Sequence, residues 1–258
     1  MGRVEANESN VALVTDIPAR PVRRVQAGQV RLAFRVWHAM PAPGTRPGGA
    51  AATPPVVLLH ALGEDSSDWE RVAPVLTPSW RVYAPDLRGH GASDRSGPYT
   101  VEQLTADLAA FLDALGLRRV ALVGHSMGAA PAYLFAARHP ERVTRLVLED
   151  PAPPFPRPPA TRERPAEPPS FDWDATALSD EFTDPPPSWR AALSDIKSPA
   201  LLIAGGQDSH LDDGPLAEMA ALMGDCELTA IEAGHLVHAT RPAEFTEAVT
   251  AFLGKSLS

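Results

Sequence analysis

The sequence contains a single cysteine, Cys226, and fewer basic than acidic residues. A lone thiol cannot form a disulfide within the chain, which is compatible with a reducing compartment such as the cytoplasm. The 23 Lys and Arg residues against 32 Asp and Glu residues give a net charge of -9. This balance argues against binding nucleic acid or anionic membranes through bulk charge. We therefore expect a cytoplasmic protein with neither nucleic acid nor a membrane among its partners.

Long uninterrupted apolar segments are also absent. Acidic residues fall within residues 1–20, where a secretory signal peptide needs a basic start and an apolar core, so we expect no secretion signal there. The same residues show no clean hydrophobic period, and we predict that they form a mobile N-terminal tail. The longest uncharged apolar stretch, residues 120–137, includes a histidine, two glycines and a proline. A strand followed by a helix explains this stretch better than a membrane span does.

What the sequence does contain is a repeated alternation of short apolar runs and helical patterns. Residues 22–38 have the alternation of two antiparallel strands joined by a tight turn. Wholly apolar runs such as Val56–Leu59 and Ala200–Ala204 are typical of strands buried on both faces of a parallel sheet. The complete alternation predicts an α/β fold with a mostly parallel, eight-stranded sheet and helices on both faces.

One segment interrupts this alternation. Twelve of the 28 prolines lie between residues 151 and 187, which disfavours a regular strand or a long helix there. We predict that residues 151–196 form a short Pro-rich lid, inserted into a core domain made of residues 21–150 and 197–258. Five aromatic residues in the segment favour a packed lid over a disordered linker. Its Pro-x-x-Pro spacings leave a docking role open.

The most informative motif is Gly124-His125-Ser126-Met127-Gly128, which lies between an apolar strand pattern and a helical pattern. A strand, a tight turn and a helix in this order form a nucleophile elbow, which lifts a serine hydroxyl above the edge of a sheet. Glycines beside the serine leave room for a helix packed close behind the turn. The motif therefore predicts Ser126 as a nucleophile for acyl transfer.

A serine nucleophile needs a base, usually a histidine that a carboxylate orients. His235 lies between the last predicted strand and the last predicted helix, so it is the predicted base. His238 is the rival, which we interpret as a packing or capping residue. Asp208, just beyond the strand at 200–204, is the predicted acid. Asp150 is the alternative acid, because it lies at the carboxyl end of the neighbouring strand.

Acyl transfer also needs hydrogen-bond donors for the developing oxyanion. The elbow itself places the backbone N–H of Met127 beside the nucleophile. The second predicted donor is the backbone N–H of Leu62, in the loop that follows the strand at Val56–Leu59. This chemistry requires neither a metal nor an organic cofactor, so none is expected.

The chain order of the predicted nucleophile, acid and base resembles that of the α/β-hydrolase superfamily, as does His60 in the oxyanion loop. Residues 86–94, with the sequence DLRGHGASD, resemble the family's turn after the fourth strand, whose implied role is structural. The resemblance covers residues 22–253. Two features depart from the family pattern: Ala61 stands where glycine is usual in the oxyanion loop, and the lid segment is short and Pro-rich.

The resemblance implies a serine hydrolase that cleaves an ester-like acyl bond of a small molecule, such as a carboxylic ester, lactone or thioester. Ser126 would form an acyl-enzyme, and water would release it as the second substrate. Carbon–carbon bond hydrolases and haloperoxidase-like members share the same triad and remain alternatives. A non-catalytic small-molecule-binding protein that keeps the fold without turnover is a further hypothesis. The sequence predicts no particular oligomeric state.

Overall fold

The computed structural model describes residues 20–38, 54–159 and 162–256. Apart from residue 20, the tail predicted over residues 1–20 lies outside the described residues. Within the described ranges, the chain forms one sheet of eight strands with helices packed against it. No helix in these ranges has both the length and the apolar composition needed to cross a bilayer.

The sheet is mostly parallel, as the alternation predicts. Its strands are β1 (Arg23–Ala27), β2 (Val30–Trp37), β3 (Val56–Leu59), β4 (Val82–Pro85), β5 (Val120–His125), β6 (Val143–Glu149), β7 (Ala200–Ala204) and β8 (Cys226–Ala230). Their spatial order is β1-β2-β4-β3-β5-β6-β7-β8. The β1–β2 and β2–β4 pairs are antiparallel, and the other neighbours are parallel. The predicted fold class is confirmed.

The α-helices of the described ranges lie between the strands and after the last one. They are α1 (Ala73–Leu76), α2 (Val101–Ala114), α3 (Ala129–Arg138), α4 (Leu178–Glu181), α5 (Pro187–Ala192), α6 (Asp213–Leu222), α7 (Val237–Thr240) and α8 (Pro242–Leu253). A 3₁₀ helix, Ser66–Arg71, precedes α1. A strand–helix–strand order of this kind requires crossovers that cover both faces of the sheet.

Two apolar cores, one on each face of the sheet, share the strand residues. Val57 and Leu59 of β3 pack in the core that includes α2, α3 and α6. Val56 and Leu58 pack in the core that includes α1 and α8. Because successive side chains of a strand point to opposite faces, a strand between two cores is apolar at every position. The loops at the carboxyl ends of the parallel strands are left to form a site at one edge of the sheet.

Residues 86–94 form the turn after β4, and internal bonds hold it. The carboxylate of Asp86 accepts the backbone N–H of Ala92 at 2.8 Å. The guanidinium of Arg88 donates two hydrogen bonds to Asp107 of α2, both at 2.7 Å, and both side chains are buried. These contacts hold the turn together and tie it to α2, which agrees with the structural role that the resemblance implied.

Residues 151–196 connect β6 to β7 through short elements. The longest helix described there is α5, and two 3₁₀ helices lie at Trp173–Ala177 and Leu193–Asp195. Prolines without N–H groups explain why no long helix forms. Leu178, Phe182 and Trp189 are nevertheless buried in the same core as α3. The lid boundaries at 151 and 196 stay a prediction, because the lid and the core domain share this core.

Candidate active site

Ser126 lies in a strained turn between β5 and α3. Its φ of 49° falls in the left-handed region, a conformation that costs a non-glycine residue about 1–3 kcal/mol. A Cβ at Gly128 would come within 2.6 Å of the backbone oxygen of Leu59, so the loop after β3 packs directly on the turn. A Cβ at Gly124 would lie 2.6 Å from the oxygen of Gly128. Both glycines are therefore required by close packing, and they leave Ser126 at the apex of the turn.

His235 joins groups from separate strand ends. Its Nε2 is 2.8 Å from the Oγ of Ser126, and its Nδ1 is 2.6 Å from Oδ2 of Asp150. A carboxylate accepts only, so Nδ1–H donates to Asp150 and Nε2 is free to accept the hydroxyl proton of Ser126. The side chain of His235 is 24% exposed, so one side of the ring faces the substrate cavity or solvent. The three residues thus form a hydrogen-bonded chain of hydroxyl, imidazole and carboxylate.

Asp150 follows directly after β6 and is fully buried. Besides His235, its Oδ2 accepts the hydroxyl of Ser209 at 2.6 Å, and its Oδ1 accepts the backbone N–H of Gly205 at 2.9 Å. Burial alone would raise the pKa of this carboxyl, but the hydrogen bonds from His235, Ser209 and Gly205 outweigh burial and hold the pKa below its ordinary value. Asp150 is therefore ionised at neutral pH.

Asp208 does not occupy the position predicted for it. It is exposed, and the carboxylate that contacts His235 belongs to Asp150, the alternative acid. The reason lies in the turn after β7. Gly206 adopts a φ of 75°, and the chain beyond it directs Ser209 toward Asp150 while Asp208 faces solvent. The residue that orients His235 is accordingly corrected from Asp208 to Asp150.

Ser209 is a residue of the site that sequence patterns did not indicate, because no motif marks it. Replacing Ser209 by alanine removes a hydrogen bond to an ionised carboxylate, worth about 1.5–3 kcal/mol. We expect kcat/KM for a short aryl ester to fall roughly tenfold or more, since Asp150 loses one of its donors. Ser194→Ala is the matched control, because Ser194 is an exposed lid serine that bonds the backbone of Ala191. Equal activity of the two variants would argue against a role for Ser209.

The serine faces a cavity of about 190 Å³. Leu62 and Met127, whose backbone N–H groups are the predicted oxyanion donors, line this cavity together with Ser126 and His235. The two backbones come from the loops after β3 and β5, which are neighbouring parallel strands. The predicted donors therefore lie beside the serine, and their catalytic role stays a prediction.

His60 holds the loop that carries Leu62. Its Nδ1–H donates to the carbonyl oxygen of Ala61 at 2.7 Å, and its Nε2 accepts the backbone N–H of Leu87 at 2.8 Å. Burial lowers the pKa of His60, which favours the neutral ring with one donor and one acceptor. Ala61, which stands where the family usually has glycine, is buried within this bonded loop.

His238, the rival base, lies beneath the site, away from the hydroxyl of Ser126. It is fully buried, with Nδ1 2.8 Å from Oε1 of Glu149 and Nε2 3.0 Å from Oδ2 of Asp68. Burial alone would lower the pKa of His238, but the two carboxylates outweigh burial and raise it to about 10. His238 is therefore a protonated packing residue at neutral pH.

Among the described residues, Asp68, His125 and His238 form a group whose candidate metal-ligand atoms all lie within 4.8 Å of one another. The Nδ1–H of His238 donates to Glu149, while its Nε2 lies 3.0 Å from Oδ2 of Asp68 without a hydrogen bond of good geometry. The Nε2–H of His125 donates to the backbone oxygen of His235 at 2.9 Å. With its pKa raised to about 10, His238 is protonated and forms an ion-pair cluster with Asp68 and Glu149 beneath His235.

Comparison with known proteins gives a consistent picture. The sequence pattern of the alpha/beta hydrolase fold matches residues 54–191, which is more than half of the chain. A solved structure of a hydrolase from Pseudomonas aeruginosa PA01 has a TM-score of 0.73 and 27% identity, and the match covers 91% of this chain and 98% of that one.

Several curated relatives have named activities. The chain is 27% identical over 255 residues to the sn-1-specific diacylglycerol lipase ABHD11 of Mus musculus, a match that covers 80% of this chain and 82% of the mouse protein. It is 48% identical over 99 residues to the 2-hydroxy-6-oxo-2,4-heptadienoate hydrolase of Pseudomonas putida, covering 36% of each chain. The chain spans only 36% or 37% of the length of several other curated relatives that it matches.

Proposed function

The chain belongs to the alpha/beta hydrolase fold family, and on that premise we propose that it is a serine hydrolase that cleaves an ester-like acyl bond of a small molecule. The bond would be that of a carboxylic ester, lactone or thioester. The observation that carries the proposal is the hydrogen-bonded chain from the Oγ of Ser126 through His235 to the buried, ionised Asp150. Such a chain activates a serine hydroxyl that is otherwise a poor nucleophile at neutral pH.

The reaction follows from the positions of these groups. The Oγ of Ser126 attacks the carbonyl carbon while its proton passes to Nε2 of His235, and Asp150 stabilises the imidazolium that forms. The backbone N–H groups of Met127 and Leu62 stabilise the negative oxygen of the tetrahedral intermediate. His235 then protonates the leaving group, and the acyl-enzyme remains. Water, deprotonated by His235, releases the acid and restores Ser126.

A second candidate function is supported by one comparison. The 48% identity over 99 residues to the 2-hydroxy-6-oxo-2,4-heptadienoate hydrolase favours hydrolysis of a carbon–carbon bond by the same three residues. The match that covers most of both chains is to a lipase, which favours ester cleavage. Parallel assays with short esters and with 2-hydroxy-6-oxo-2,4-heptadienoate separate the two, because each substrate reports only one of the reactions.

Covalent labelling of the serine tests the proposed chemistry. We expect a fluorophosphonate, and the smaller phenylmethanesulfonyl fluoride, to add one adduct to the wild type, located at Ser126 by peptide mass spectrometry. The activated Oγ attacks phosphorus or sulfur as it would a carbonyl carbon. Ser126→Ala should stay unlabelled, while the lid control Ser194→Ala should be labelled at the wild-type rate. A wild-type protein that neither reagent labels, and that turns over no short ester, would refute the proposal.

A further inference from the structure

Arg157 of the lid shares the cavity of the nucleophile. It lines the space of about 190 Å³ that Ser126 and His235 also line. Its backbone N–H donates to the oxygen of Thr183 at 2.9 Å, which anchors the main chain beside the site. Its guanidinium carbon lies 5.9 Å from the centre of the Phe182 ring, at the limit of a cation–π contact. The backbone of Arg157 is therefore held by Thr183, and its guanidinium lies near the ring of Phe182.

The described ion pairs leave the charge of Arg157 without a carboxylate partner. Two other lid arginines have one, since Arg162 pairs with Asp180 and Arg190 with Glu218, each at 2.6 Å. Burial lowers the pKa of the Arg157 guanidinium, which remains a cation at neutral pH. A half-buried cation without a counter-charge is unfavourable, and a bound anion would offset that cost.

The other polar groups of the cavity supply no free negative charge. Ser179 and Thr183 are neutral, and burial lowers the pKa of His210, which keeps that ring neutral. Asp150 is fully buried, and its oxygens already accept three hydrogen bonds. Asp212 borders an adjoining cavity of about 360 Å³ and is exposed to solvent. A substrate is thus the natural source of the missing anion.

We propose that Arg157 binds a carboxylate of the substrate, so that the enzyme acts on short esters that carry a negative charge near the scissile carbonyl, such as monoesters of small dicarboxylic acids. This inference rests on the proposed serine hydrolase function. A planar guanidinium with several donors suits a carboxylate, which it binds through two parallel hydrogen bonds. Because Ser126 and Arg157 line the same small cavity, only a few carbon atoms can separate the carboxylate from the ester.

Paired substrates of equal shape test the proposal. Monomethyl succinate is compared with methyl 4-methylpentanoate, and monomethyl glutarate with methyl 5-methylhexanoate, because an isopropyl group has nearly the shape of a carboxylate. Methanol release is followed by NMR. We expect the wild type to prefer the charged member of at least one pair by roughly tenfold or more in kcat/KM, the effect of one charge-assisted contact.

Variants at Arg157 locate the source of that preference. Arg157→Gln should lose the preference for the charged member of the pair, mainly through a higher KM for the charged ester. Arg157→Lys should retain part of it, since the charge remains and the paired geometry is lost. Arg162→Gln is the matched control, because Arg162 is a lid arginine that already has a carboxylate partner. It should keep the wild-type preference.

A binding measurement keeps this inference separate from the proposed reaction. In Ser126→Ala, calorimetry should detect monomethyl succinate or monomethyl glutarate, whichever the wild type prefers, and the double variant with Arg157→Gln should bind that ester at least tenfold more weakly. Wild-type hydrolysis of neutral esters with no preference for the charged ones would overturn the role of Arg157 and leave the serine hydrolase proposal intact. Equal binding by the single and double variants, or no binding by either, would also overturn it. Failure of serine labelling would instead refute the proposed reaction.

Discussion

The variant Asp150→Asn is expected to lower kcat for a short ester by about 10⁴-fold with little change in KM. The carboxylate now accepts Nδ1–H of His235, and an amide NH₂ in its place would donate to that nitrogen. The ring proton would then sit on Nε2, which could no longer accept the hydroxyl proton of Ser126. Steady-state hydrolysis of phenyl acetate gives kcat and KM separately and so measures this loss.

Asp208→Asn is the matched control for this prediction. Asp208 is exposed and belongs to the loop after β7, and we expect its replacement to change kcat by less than about twofold, as for most surface substitutions. Thermal unfolding of both variants checks that each is folded under the assay conditions. An intact kcat in Asp150→Asn, or a collapse confined to Asp208→Asn, would show that the geometry of the site has been misread.

The sequence signals for the proposed nucleophile and base are local. Ser126 lies in a five-residue motif between a strand and a helix, and His235 lies in a short loop after the last strand. Each is recognised from neighbours within about ten residues, which is the range over which periodicity and turn patterns carry information. Both residues are found at the expected strand ends, 2.8 Å apart.

The choice of the acid, by contrast, depends on contacts between residues that are distant in sequence. Asp150 and Asp208 follow the neighbouring strands β6 and β7, so their positions alone place both near His235. Besides the turn at Gly206, two features of the backbone favour Asp150. Asp150 takes a φ of 37°, and Gly205 packs so tightly on Gly234 that a Cβ would overlap its carbonyl oxygen. Neither feature has a signature in the strand pattern.

For the lid, the sequence predicted the kind of secondary structure and did not predict which residues line the cavity. Its prolines predicted short elements, and the described helices there are short. Composition could not indicate that Phe182 would line the cavity beside Arg157, because that depends on how the segment folds back over β6. Irregular backbone is set by tertiary contacts rather than by periodicity, so substrate recognition is the least predictable part of this chain.

The variant His238→Gln is expected to lower the free energy of unfolding by about 3–5 kcal/mol. His238 is the cation between Glu149 and Asp68, and without it the fully buried carboxylate of Glu149 keeps the backbone N–H of residue 238 as its remaining described partner. Leaving one buried charge without its partner lowers the free energy of unfolding more than replacing both partners by neutral side chains of similar size. Urea unfolding at pH 7 measures the change.

Two further variants separate charge from packing at this position. Adding Glu149→Gln to His238→Gln should recover part of the lost stability, because it removes the uncompensated charge and keeps the shape. His139→Gln is the matched control, since His139 is a half-buried histidine that packs on the ring of Phe135. A loss below about 1 kcal/mol for His238→Gln, or the same loss in the control, would contradict the structural role of this ion pair.

The pH dependence of the free energy of unfolding is a separate test of the ion pair between His238 and Glu149. The folded-state pKa of His238 is about 10 against an ordinary value of 6.5, so the ionised pair contributes fully below pH 6.5 and is lost as pH rises toward 10. One proton corresponds to at most about 1.4 kcal/mol per pH unit. The stability difference between the wild type and His238→Gln should therefore shrink from pH 7 to pH 10. We also expect kcat to fall between pH 7 and pH 10. The reason is that Glu149 directly precedes Asp150 and fixes the first turn of α7, next to His235. Parallel stability profiles of the two proteins would refute the assigned charge.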